Sequence, residues 1–145
     1  MNERLPAVSG ETPGIGVVVG AAALDAALVA LFAILGRSSH AEGLDVAGVW
    51  GTAWPFLAGL GVGWAASRAW RHPISVRSTG VVVWAATLLV GMLLRVATGQ
   101  GVAVAFVIVA AIALAILLVG WRGLAALVGR IRRRRSPAAA DGVRA

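Results

Sequence analysis

The chain has 145 residues, of which 59% are hydrophobic and 13% charged; with a mean hydropathy of +0.88, it carries more apolar surface than a soluble domain of this size can bury. Its net charge of +7 comes from 13 basic residues against 6 acidic ones, and the basic residues, all arginine, gather at the ends of apolar segments instead of on a face with stacking aromatics, which excludes nucleic acid as a partner. The absence of cysteine excludes a disulfide framework, a thiolate metal site and a thiol nucleophile.

A polar N-terminal tail, residues 1–13, precedes the first apolar segment, "GIGVVVGAAALDAALVALFAIL" at 14–35. That segment exceeds the roughly 20 residues needed to cross a bilayer. Gly16 and Gly20 form a small-xxx-small pair, continued by Ala23 and Ala27, of the kind that lets membrane helices approach closely. The "SHA" at 39–41 has the form of a signal-peptidase site, but the apolar run outlasts a leader's core and Arg37 intervenes, so this span is expected to be retained. The loop "GRSSHAEGLD" then carries Arg37, His40, Glu42 and Asp45.

The second segment, 46–67, repeats small or kinking residues every four positions: Gly51, Pro55, Gly59, Gly63 and Ser67. This pattern predicts a smooth packing stripe. Pro55 removes an intrahelical hydrogen bond, so a bend is expected near Gly51 and Thr52, read as a static kink in preference to a hinge. After "RAWRHPISVR" comes the third segment, 78–97, in which Gly80, Trp84, Thr87, Gly91 and Arg95 recur at spacings of three and four and share one face. A short "TGQG" leads to the fourth segment, 101–121, which holds no ionisable side chain. Residues 122–145 form a basic tail whose Arg130, Arg132, Arg133, Arg134 and Arg135 predict attraction to anionic lipid headgroups, about 1 kcal/mol for each basic residue near the surface.

None of the segments alternates polar and apolar residues as a membrane barrel must. Short connections force neighbouring helices to run antiparallel, so the expected fold is all-α: a four-transmembrane-helix bundle, up-down-up-down. Of the 13 arginines, 11 fall on the side that holds both termini, leaving Arg37 and Arg95 on the other. The positive-inside rule then puts both termini in the cytoplasm of a bacterial cell whose plasma membrane holds the protein. Trp70 and Trp121 fall at the expected inner boundary and Trp50 near the outer one.

Asp25 sits 11 residues into a 22-residue apolar run, where a charged side chain costs about 2.5–3.5 kcal/mol on insertion scales. It must face the bundle interior, lose its charge or find a partner. Arg95 is the favoured partner, about six residues or roughly 9 Å beyond the midpoint of its own span; Arg37 is more remote, and Thr52 or Thr87 would be the hydrogen-bonding alternatives if Arg95 turned outward to the headgroups. Two readings follow from that polar group. One is a structural clasp; the other is a proton or ion relay in which Asp25 communicates with an outer cavity rimmed by Arg37, His40 and Arg95.

Other chemistry is disfavoured. His40 and His72 lie on opposite sides of the membrane and cannot jointly hold a metal or haem, so no metal site and no cofactor are expected. Ser38, His40 and Asp45 are loop neighbours without the pattern of a triad, and "GLGVG" at 59–63 lacks the strand and lysine of a phosphate loop, so the chain does not read as an enzyme. The function classes that remain are a small transporter-like, proton- or ion-handling protein and a non-catalytic scaffold or accessory subunit. The partners expected are the lipid bilayer and either further copies of the chain or another membrane protein, packed through glycine-rich faces.

An aspartate in the first span, "GRSSH" after it, "WPF" and "GLGVGW" in the second, "GMLLR" in the third, and "GQG" with "AF" opening the fourth together resemble the small bacterial and archaeal membrane proteins of the domain of unknown function 3054 family. The resemblance covers about residues 15–122. It implies the four-helix topology and brings no activity with it.

Overall fold

The computed structural model describes residues 13–38 and 45–134. His40, Glu42 and Arg135 lie outside the described residues. Four long apolar helices make up the fold: α1 (Ile15–Ser38), α2 (Val46–Ser67), α3 (Val76–Ala97) and α4 (Val104–Arg134). No strand occurs among the described residues. Leu89, Leu93, Val104 and Ile116 are exposed, a distribution that suits helices whose outer faces meet acyl chains.

Local signals explain where the helices start and stop. Asp45 caps α2 by accepting a 2.8 Å hydrogen bond from the Gly48 amide, and Arg68 closes the same helix in the left-handed conformation, with φ 49°. Between α3 and α4 the chain reverses through Gly99 and Gly101, with φ of 72° and 69°, where a side chain would strain the backbone. Helix α2 runs unbroken through Pro55, which is buried.

The α2–α3 interface is the most extensive and is built on absent side chains. A Cβ on Gly59 would stand 2.8 Å from the Thr87 carbonyl oxygen, and one on Gly63 would stand 2.8 Å from the Val83 Cα. Gly91 returns the favour from α3: a Cβ there would meet the Phe56 ring at 2.5 Å. Phe32, Phe56 and Phe106, from three different helices, gather in the interior, the first two edge-to-face with centroids 5.1 Å apart. Gly16, Gly20 and Gly51 have nothing within 4 Å of such a Cβ. Only part of the small-residue pattern is therefore spent inside the bundle.

The third and fourth helices differ from the expected spans. Helix α3 begins at Val76 with a π-helical turn, Val76–Gly80. In α4 a π-helical segment, Ala115–Val119, separates α-helical Val104–Leu114 from Gly120–Arg134, so the helix starts three residues later than expected and continues through what was read as the first part of the tail. Ala110, Leu114, Leu118 and Arg122 are all buried. A four-residue repeat drifts around a helix of 3.6 residues per turn, and the wider π turn drifts the opposite way, which keeps these positions on one face.

Replacing Gly59 with Ala forces α2 and α3 apart at backbone contact. The variant is expected to lose about 1–3 kcal/mol of stability, the usual cost of overpacking, seen as a lower Tm in detergent, whereas Gly61→Ala, with open space around it, leaves the Tm unchanged or raised.

Candidate functional site

Asp25 is completely buried, and its partner is Arg122. The guanidinium grips the carboxylate in a two-pronged pair: Arg122 Nη1 donates to Asp25 Oδ1 at 2.9 Å and Nη2 donates to Oδ2 at 2.6 Å. Two indoles complete the acceptor shell, with Trp121 Nε1 donating to Oδ1 at 2.9 Å and Trp64 Nε1 to Oδ2 at 2.8 Å. Each carboxylate oxygen thus accepts two N–H groups, which is the condition for keeping an ion in a medium that offers no water.

Arg122 is equally enclosed. Its Nε donates to the Pro73 carbonyl at 3.0 Å, and Nη1 also donates to the Leu118 carbonyl at 2.7 Å. The second of these lies four residues back in α4. The first comes from the α2–α3 connection, which tucks Ala69 and Pro73 into the bundle. Gly80 permits the approach, because a Cβ there would come 3.1 Å from the Arg122 Cδ. Thr79, also buried, donates to the His72 carbonyl at 2.7 Å and secures the same connection. One ion pair consequently joins α1, α2, α4 and the α2–α3 turn.

The expected partnership between Asp25 and Arg95 does not occur. Arg95 lies 15 residues beyond Gly80, about 22 Å along α3 at 1.5 Å per residue, at the other end of the bundle. There its Nη1 donates to Gln100 Oε1 at 2.9 Å, and its guanidinium lies 4.6 Å from the centroid of Phe106. Arg37 is 3.6 Å from Asp45. Thr52 donates to the Gly48 carbonyl within its own helix, and Thr87 is buried against Gly59 with no hydrogen-bond partner for its hydroxyl; neither serves Asp25. The structure does bring Arg37, Thr52 and Arg95 together, around a cavity of about 550 Å³. Asp25 is not among the residues that line it.

Arg122 is the residue that sequence reasoning missed. Treated as the first charge after an apolar span, it marked the water boundary. A second signal was available: Trp121 and Arg122 lie eight and four residues past Ala113 and Leu118, on the continuation of the apolar repeat.

Comparison with known proteins adds a family and no activity. The model of the family described as protein of unknown function (DUF3054) matches residues 22–125, well over half of the chain. The chain belongs to this family. The matched stretch contains Asp25, Trp64, Trp121 and Arg122 and stops short of Arg130. Neither the curated proteins nor the solved structures include a significant match.

Trp64→Phe removes one donor from the buried carboxylate while keeping the ring's bulk close to native. It is expected to cost about 1–3 kcal/mol, read as a fall in Tm, and Gly80→Val, which crowds the arginine stem, is expected to lower the Tm comparably. Unchanged melting in both variants would show that the pair does not hold the bundle.

Proposed function

We infer that this DUF3054 protein is a non-catalytic component of a membrane assembly, rigidified by its buried ion pair and docked to a neighbouring membrane helix through α1. The observation that carries the reading is the closed shell of Asp25: 0% exposed, with both oxygens occupied by four N–H donors. A relay needs a carboxylate that exchanges its proton with water or with a mobile carrier. This one is enclosed among N–H donors from other helices, so its physical role is to orient helices.

Support for the docking face comes from α1. Gly16, Gly20, Ala23 and Ala27 are all exposed, in the spacing of a close-packing membrane interface, whereas Gly59, Gly63 and Gly91 are consumed inside the bundle. In this reading both termini face the cytoplasm of a bacterium across its plasma membrane. The exposed Arg130, Arg132, Arg133 and Arg134 at the end of α4 then lie against anionic headgroups.

The chain contains no cysteine, which makes a single introduced thiol informative. Ala23→Cys is expected to form an intermolecular cross-link in native membranes, and Gly20→Leu in the same background is expected to abolish it without lowering the Tm. In liposomes holding a pH-sensitive dye, wild type and Asp25→Asn are expected to admit protons at equal rates. A faster wild-type flux that vanishes in the variant would favour the transporter-like reading and overturn this one.

A further inference from the structure

Helix α4 continues well past the ion pair. Its 31 residues rise about 46 Å at 1.5 Å per residue, whereas the hydrocarbon layer is about 30 Å thick and the bilayer with its headgroups about 40–45 Å. Arg122 already reaches the α2–α3 turn, where its Nε donates to the Pro73 carbonyl, and that turn carries the exposed Arg68 and Arg71. Residues 123–134 therefore project about 18 Å beyond Arg122. Apart from the rest of its own helix, the segment Gly120–Arg134 runs beside only one described helical element, the π turn Val76–Gly80.

That projection carries two sets of side chains in register. Leu124, Leu127, Val128 and Ile131 occupy positions i, i+3, i+4 and i+7 of one helical face and are 65%, 53%, 48% and 41% exposed. Arg122 is buried on the opposite face, so the stripe looks away from the bundle. Acyl chains account for Leu124, about 30 Å along the axis from Val104; Leu127, Val128 and Ile131 stand about 34–41 Å along it, at headgroup depth, where water makes it favourable to cover an apolar face. Arg132 and Arg134 border the stripe on its two sides, and Arg133 lies behind it. All three are exposed, and neither ion pair between described residues uses them.

We propose that Leu124, Leu127, Val128 and Ile131 are the docking face for an acidic amphipathic helix of a partner protein, packed alongside the end of α4 with its carboxylates on Arg132 and Arg134. The spacing of the stripe is that of a helix received by another helix. Charge selects the partner: a second copy in the same orientation would set arginine against arginine, whereas acidic residues beside an apolar stripe complement both features at once. Arg133, on the far side, is left to the headgroups. The proposal gives a partner to the assembly inferred above and rests on that reading, but it uses a face separate from the α1 stripe.

The test places the photo-cross-linking residue benzoylphenylalanine at Val128 of the full-length protein, irradiates native membranes and sequences the cross-linked peptide by mass spectrometry. The expected adduct is a segment of another protein with net negative charge and apolar residues at spacings of three and four. Leu127→Gln together with Ile131→Gln is expected to reduce its yield by about tenfold or more, the effect of withdrawing two apolar side chains from a contact. Arg132→Gln together with Arg134→Gln is expected to reduce it as well. Both pairs alter exposed side chains and are expected to leave the Tm and the Ala23→Cys cross-link of α1 unchanged, so that a failure here is distinguishable from a failure of the α1 interface. The proposal is overturned if the label at Val128 yields no protein adduct or only lipid, if it captures a second copy or residues 1–12 or 135–145 of its own chain, or if an acidic adduct persists undiminished in the Leu127→Gln, Ile131→Gln variant.

Discussion

A carboxylate buried in a membrane bundle has to be surrounded by donors, and the position of Asp25 dictates much of the rest of this structure. Arg122 must reach it, so α4 carries an arginine deep into the bundle. The π-helical segment at Ala115–Val119 keeps that arginine on the buried face. Trp64 and Trp121 must turn their indole nitrogens inward, which fixes the rotation of α2 and α4 about their axes. The α2–α3 turn must fold beneath the arginine to offer the Pro73 carbonyl. In lipid, where apolar faces gain little by meeting one another, such a polar centre supplies the orientation that a hydrophobic core supplies in water.

The two ends of the bundle therefore have different physics. One end is closed: opposite charges neutralise each other, every nitrogen and oxygen of the ion pair is engaged, and two buried residues of the connecting turn seal it. The other end gathers Arg37, Thr52 and Arg95 around a cavity bordered by aromatic rings. Between them the three phenylalanines form a packed partition.

Much of the fold was legible in the sequence because the relevant signal, some 20 apolar residues bounded by charge or glycine, is local and strong. The α2 and α3 glycines were equally legible: Gly59, Gly63 and Gly91 sit at close approaches as their spacing required. Asp25 could be identified as a buried group needing company, but its partner could not be chosen by depth arithmetic. That arithmetic assumed that an arginine after an apolar run marks the water boundary, and a paired arginine is free of that rule. It also had no means of anticipating a π turn, whose extra width changes which residues share a face, or a loop that folds inward. Arg95, chosen for its place on an apolar face, lies beside Arg37 at the opposite end of the bundle from Asp25.

The central claim, that Asp25 and Arg122 form the ion pair on which the bundle is built, is tested most directly by paired double-mutant cycles on thermal or denaturant unfolding, with Asp25→Asn combined first with Arg122→Gln and then with Arg95→Gln. The structure predicts a strong coupling of about 2 kcal/mol or more for residues 25 and 122, in the range of interacting neighbours, and none beyond about 0.5 kcal/mol for 25 and 95, as for distant sites. Additive effects at 25 and 122, or a strong coupling between 25 and 95, would contradict it.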